Sequence, residues 1–258
     1  MKVGILAGGL GSRLSEETTL KPKPMVEVGE DPILWHIMKY YAHFGHDEFA
    51  VALGYKGEYI KRWFADQATL GGDLMVRPKA GEVTSSGSHI EDDWTVKLIE
   101  TGRETNTGGR IKRLIPHMGG ETFMITWGDG VGTIDLDKLV EFHKSHGKLC
   151  TLTAVHPPAR FGHIEIADDS AITEFTEKPQ AAEGWINGAF FVMEPEVANY
   201  IDNDDTLFER EPLERLAAEG QLMAYKHDDF WACMDTVRDK VMLEKLWASG
   251  NAPWKVWS

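Results

Sequence analysis

Gly8, Gly9 and Gly11 fall within four residues, directly after the apolar run Val3-Gly4-Ile5-Leu6-Ala7. The run reads as a buried strand. Glycines at its exit let the backbone take positive φ and leave its N–H groups bare to a ligand. Bared amides at a strand exit bind anions, phosphate above all, so Leu6 to Gly11, with Ala7 before the glycines and Leu10 between them, reads as a phosphate cradle. Ser12 and Arg13 follow, and the guanidinium offers a fork of donors suited to phosphate. Lys23 stands between Pro22 and Pro24, which fix φ on both sides and bias Lys23 towards an extended backbone. The loop lacks the Gly-Lys-Ser/Thr ending of a Walker A loop. As a dinucleotide fingerprint it fails at Leu14, where the third glycine belongs.

Two aspartates far along the chain suit the same ligand. Asp129 lies in Gly128-Asp129-Gly130, after the apolar stretch Thr122–Thr126, and Asp235 lies just ahead of the last helical pattern. Singly they read as an Asp-Gly turn and a helix N-cap. With a phosphate loop, two separated carboxylates meet the needs of octahedral Mg²⁺, which fills its other positions with phosphate oxygens and water. Glu177-Lys178-Pro179 follows the strand pattern Ile172–Thr176 and holds another lysine before a proline, or is a surface turn. Asn187-Gly188 interrupts the apolar run Trp185–Met193. A glycine there marks either close approach of a ligand or a β-bulge. His143 and His146 have i, i+3 spacing that could bind Zn²⁺, but no third ligand stands nearby and that helix has a core face.

The elements that must position these residues alternate. Asp31-Pro32 opens a helix with the stripe Leu34, Ile37, Met38, Tyr41. Glu48–Gly54 reads as a second strand, followed by a helix through Ile60 and Phe64. This rhythm implies a parallel sheet with right-handed crossovers. Between 69 and 110 it breaks, with two short strands expected at Leu74–Arg77 and Trp94–Glu100. So long an excursion is a lid, an interface arm, or both. Helices follow around Ile111–Ile115 and Leu136–His143, with strands at Thr122–Thr126 and Leu149–Val155. Beyond His156 the pattern is β-rich, with strands at Phe161–Ile166, Ile172–Thr176 and Trp185–Met193. Helices start at Pro195 and Pro212, a strand covers Leu222–Tyr225, and a last helix carries Val241, Leu243, Leu246 and Trp247. The tail, Asn251 to Ser258, carries Trp254 and Trp257 and is expected to dock on its own subunit or a neighbour. The fold class is α/β, a Rossmann-like doubly wound sheet, mostly parallel but mixed.

The 258 residues, 42% of them hydrophobic, can build one large core. A net charge of −14 argues against nucleic acid as a partner. Cys150 and Cys233 give neither a disulfide framework nor a metal-ligand spacing. Met1-Lys2 leads straight into a strand, and no apolar run is long enough to span a bilayer. The expectation is a soluble cytoplasmic protein. No hexapeptide repeat is present, which removes an attached acyltransferase domain from consideration.

The order G-G-x-G-S-R, P-K-P, G-D-G, E-K-P, N-G and a late W-x-x-x-D resembles the sugar-1-phosphate nucleotidylyltransferases from residue 1 to about residue 250. Ser12 replaces their common Thr, Cys233 their Pro in W-x-P-M-D, and Ala189 the last glycine of N-G-G. More narrowly, Leu14–Thr18, Ile33–Met38, Thr107–Arg110, Pro157–Gly162 and Ala252–Lys255 look like the branch that joins CTP to glucose 1-phosphate. The resemblance implies one glycosyltransferase-A-like domain over 1–258. In it, 1–155 is mainly nucleotide-binding, 156–235 mainly sugar-binding, and 236–258 a helix and tail. It also implies that Gly8, Gly9, Gly11, Ser12 and Arg13 hold the nucleotide phosphates, that Lys23 reaches the α-phosphate, that Gly128 contacts the nucleotide, and that Asp129 and Asp235 bind Mg²⁺. Lys178 then contacts the sugar phosphate, Glu177 and Asn187-Gly188 the sugar, while Thr105 and Arg110 stand where the base edge is read. Relatives are commonly homo-oligomers, and CDP-glucose feeds deoxysugar synthesis for surface polysaccharides such as O-antigen. The alternatives are a uridylyl- or thymidylyltransferase acting on glucose 1-phosphate, or a silent regulatory homologue. The last should have lost Lys23, Asp129 or Asp235, and all three are present.

Overall fold

The structure, a computed structural model, describes residues 1–11, 14–86, 93–157, 163–166, 172–176 and 184–257. Ser12, Arg13, Glu177 and Lys178 lie outside the described residues.

Seven strands form the central sheet: β1 (Val3–Leu6), β2 (Glu48–Leu53), β3 (Thr95–Glu100), β4 (Phe123–Trp127), β5 (Cys150–Val155), β6 (Ile186–Met193) and β7 (Leu222–His227). Their spatial order is β7-β5-β6-β4-β1-β2-β3. Pairs β4-β1, β1-β2, β2-β3 and β5-β7 are parallel, and β6 runs antiparallel to β4 and β5. All four residues of β1 are buried, as a strand covered on both faces requires. Period-two alternation splits it: Val3 and Ile5 enter one core, Leu6 the other.

The first core is closed by α1 (Ile33–His43), whose stripe Leu34, Ile37, Met38 and Tyr41 is wholly buried as expected. It also takes Leu136 and Leu139 of α4 (Leu136–His146) and Leu243 of α6 (Val237–Ala248). The second holds Ile111 and Leu114 of α3 (Thr107–Leu114) with Leu216 of α5 (Glu211–Ala218). Helix α2 (Gly57–Leu70) follows β2. Pro195 starts a 3-10 segment, Pro195–Tyr200, rather than an α-helix.

Of the two strands expected in the excursion, one is the first strand of a hairpin, Asp73–Arg77 with Glu82–Ser86, and the other is edge strand β3. The tail docks on its own chain. Trp254 is 1% exposed, stacks on Phe230 and Trp247, and points its indole N–H at Nδ1 of His36. No helix among the described residues is long and apolar enough to cross a membrane.

Candidate active site

From β1 the chain builds outward to β2 and β3, then returns to the other side of β1 for β4. Strand order therefore reverses between β1 and β4, and in open α/β sheets ligands bind beyond the carboxyl ends at such a point. A cleft of about 260 Å³ opens there. Leu6 to Gly9 and Gly11 line it after β1, and Trp127, Gly128 and Asp129 after β4. Lys23, Pro24, Thr105 to Thr107 and Arg110 complete the lining. Leu10 does not line it and is exposed. Gly11 has φ +63, the left-handed conformation its position calls for, and its carbonyl accepts from the Leu14 amide and the Thr18 hydroxyl.

Asp129 and Asp235 are brought together by a two-stranded antiparallel ribbon, Gly130–Gly132 with Trp231–Cys233. Gly130 faces Cys233 across it, and the Met234 amide donates to the Asp129 carbonyl. Gly128-Asp129-Gly130 is therefore no free-standing turn. Asp235 is no N-cap either. Thr236 caps α6, in a reciprocal box with Asp239, and leaves the Asp235 carboxylate to Lys23, which lines the cleft.

Lys23 bridges the two. Its Nζ lies 2.6 Å from Oδ2 of Asp129 and 2.5 Å from Oδ1 of Asp235. Burial works against the ammonium, but the Asp129 charge and the bonds to both carboxylates hold its pKa above that of an ordinary lysine. The backbone that delivers it is a 3-10 turn, Lys23–Met25, not the extended segment expected from Pro24. Pro24 is tolerated because a proline in the first turn gives up an N–H that has no helical partner anyway.

Ligand atoms of Asp129, Cys233 and Asp235 lie within 4.8 Å of one another, the one such cluster among the described residues. Two carboxylates beside a phosphate cradle fit a hard divalent cation with open positions. The Cys233 thiol is a poor partner for such an ion, and burial together with the Asp129 charge pushes its pKa up.

Arg110 is buried at the start of α3 and aims its guanidinium at main-chain oxygens. Its Nη1 donates to the carbonyls of Leu53 (3.0 Å) and Gly102 (2.9 Å) and to the Thr101 hydroxyl (2.7 Å). Nη2 donates to the carbonyls of Gly8 (3.0 Å) and Arg103 (3.3 Å). Desolvation lowers its pKa from the usual arginine value. A Cβ on Gly8 would lie 2.2 Å from this guanidinium, so glycine there serves Arg110 as well as any phosphate.

Asn187 and Gly188 are not among the residues lining this cleft. They sit where the β5–β6 register shifts, next to Ala189 at φ +61, with Asn187 Oδ1 accepting from the Ala189 amide. The Gly188 carbonyl accepts from the Trp231 indole, tying this bulge to the aspartate ribbon. His143 and His146 are hydrogen-bonded through Thr151, with His143 also on Glu194 and His146 on the Lys148 amide. The ribbon itself and the lining residues Asn106, Thr107 and Trp127 were not foreseen. Only the order of the flanking motifs hinted at them.

A glycine-lined cleft at a switch point, paired carboxylates and a bridging lysine thus meet at one end of the sheet. The sequence model of the nucleotidyl transferase family matches residues 2–242, and the chain belongs to that family. It is 49% identical over 258 residues, the whole of both chains, to the glucose-1-phosphate cytidylyltransferase of Salmonella typhi. It is also 42% identical over the whole of both chains to the probable glucose-1-phosphate cytidylyltransferase of Bacillus subtilis (strain 168). The fold is that of the crystal structure of HddC from Yersinia pseudotuberculosis, with a TM-score of 0.71 at 22% identity over 95% of this chain and 99% of that one.

Proposed function

We propose that the chain transfers the cytidylyl group of CTP to glucose 1-phosphate, giving CDP-glucose and pyrophosphate. The observation that carries the reaction class is the meeting of Lys23 with Asp129 and Asp235, where Lys23 and Asp129 line a cleft that Gly8, Gly9, Gly11 and Gly128 also line. The choice of base and sugar rests on the relatives just described. A phosphate oxygen of glucose 1-phosphate attacks the α-phosphorus of CTP. The bond from that phosphorus to the bridging oxygen breaks, and the electron pair leaves with pyrophosphate. The attacking oxygen is already ionised, so no general base is required.

The protein's work is positioning and charge neutralisation. The amides of Gly8, Gly9 and Gly11 cradle the triphosphate, with Ser12 and Arg13 beside them. Lys23 offsets charge at the α-phosphate, Lys178 offsets it on the sugar phosphate, and Glu177 and Asn187 orient the sugar. Asp129 and Asp235 would hold Mg²⁺, which when bound polarises phosphoryl oxygens and offsets the charge on the leaving group. Base selection falls to Thr105 and Arg110. Both Nη groups of Arg110 already donate to protein oxygens, which holds the guanidinium in one orientation beside the cleft. On this reading residues 1–155 serve mainly the nucleotide and 156–235 mainly the sugar, in a cytoplasmic enzyme whose product enters deoxysugar synthesis.

Self-association belongs to the same reading. The hairpin Asp73–Ser86 exposes Leu74, Met75, Val76 and Val83, and a two-stranded hairpin is marginal alone. We assign its cover to a second copy of the chain. Sedimentation of a monomer at micromolar concentration would remove that assignment.

The test of the reaction incubates the protein with MgCl₂, glucose 1-phosphate and CTP, UTP or dTTP in turn, and measures pyrophosphate. CTP is expected to be turned over fastest. Equal or better turnover of UTP or dTTP would overturn the base assignment, and no turnover of any would overturn the enzyme.

A further inference from the structure

We propose that Lys56 is a positioning residue that latches the phosphate-binding loop, and that the turn Gly54–Gly57 is built around this task. The inference rests on the nucleotidyl-transfer reading of that loop. Lys56 precedes α2 as its N-cap, yet has neither the extended backbone nor the capping oxygen that such a position favours. Its φ is +52 and its ψ 34, in the left-handed region where glycine or asparagine sits more easily. Only Ala189 shares a positive φ among the described non-glycine residues. A lysine held in such a conformation is retained when its side chain secures something elsewhere.

The side chain reaches the far end of the loop. Its Nζ donates to the Thr18 carbonyl at 3.2 Å and to the Thr19 carbonyl. Thr18 closes the short helix Ser15–Thr18, where carbonyls lack an onward helical partner. The Thr18 hydroxyl in turn donates to the carbonyls of Gly11 and Leu14. One residue before Lys56, the Tyr55 amide donates to the Gly8 carbonyl at 3.1 Å. A single turn therefore pins the stretch at Gly8 and again at Thr18–Thr19, with Gly9 and Gly11 held between. A loop already ordered loses less entropy when a triphosphate binds.

Lys56→Gly separates the two explanations because it removes the ammonium while suiting the backbone. A latch gives KM for CTP raised about tenfold, with kcat and KM for glucose 1-phosphate within about twofold. It also gives an unchanged or higher Tm and faster amide hydrogen exchange across residues 8–19. Lys56→Arg, which can still reach the carbonyls, is expected to recover most of the CTP affinity, and no recovery counts against the latch. Wild-type KM and wild-type exchange in Lys56→Gly would overturn the proposal. So would a lowered Tm with both KM values raised alike. Should the wild-type protein release no pyrophosphate from CTP, the enzymatic reading falls, and the exchange measurement still decides the latch.

Discussion

An ammonium 2.6 Å from one carboxylate and 2.5 Å from another is satisfied, and has to give up part of that satisfaction to reach a phosphate. A divalent cation bound by Asp129 and Asp235 would compete with Lys23 for the same two acceptors. In Lys23→Met the carboxylates face each other without a counter-charge. We expect a stability loss of about 1–3 kcal/mol, moderated because both carboxylates keep some contact with water. Turnover should fall on the order of a hundredfold or more. Thermal melts with increasing MgCl₂ should raise the variant's Tm more than the wild type's. An equal metal response with unaltered turnover would leave Lys23 no part in the chemistry. At this scale the residue types and their order were legible: glycines, a lysine among prolines, two late aspartates. The direct bridge from Lys23 to both aspartates was not. Nothing local says that Lys23 meets residues 106 and 212 positions away.

Elements with a strong period were equally plain. The stripe of α1 and the all-apolar β1 declare themselves because burial acts on every turn or on both faces. The second strand of the hairpin, with Thr84-Ser85-Ser86 in it, and the three-residue ribbon strands carry no such pattern. Yet the ribbon places Asp235, and the capping box behind it fixes the residue that follows. Thr236→Ala should cost about 1 kcal/mol and lower turnover several-fold, while Thr236→Ser keeps both. A loss of stability with full turnover would show that Asp235 is held by the ribbon alone. The bulge offers the opposite sign. Ala189 stands at φ +61, in the region that favours glycine, so Ala189→Gly should stabilise the fold by about 0.5–1 kcal/mol in denaturant titrations. A destabilised variant would mean that the alanine methyl packs to advantage.

The whole molecule joins its last residues to its first helix through His36. The side chain is fully buried. Its Nε2 lies 2.8 Å from the Val28 carbonyl, and its Nδ1 accepts from the Trp254 indole, so the ring is the neutral tautomer. Burial pushes its pKa down to about 4 from an ordinary 6.5. Above pH 6.5 neither folded nor unfolded chain binds this proton. Between 6.5 and 4 the unfolded chain takes a proton that the folded one refuses, and stability falls with pH by up to roughly 3 kcal/mol. Tryptophan-fluorescence melts from pH 7.5 to 4 should show this decline, and His36→Gln should flatten it. Identical slopes would place the sensitivity elsewhere. The docking itself could not be read from the sequence, since two tail tryptophans suit a neighbour's surface as well as their own. The long span between Lys23 and Asp235 bears on synthesis as well. A chain emerging from the ribosome has its glycine loop, Lys23 and most of its sheet while Asp235 is still to be made. Domains begin to collapse as they are synthesised, so the early half can compact around β1 with its lysine only half neutralised. On the proposed reading, competence for nucleotidyl transfer arrives with one of the final stretches translated, and an interrupted chain would be a nucleotide pocket without a reaction.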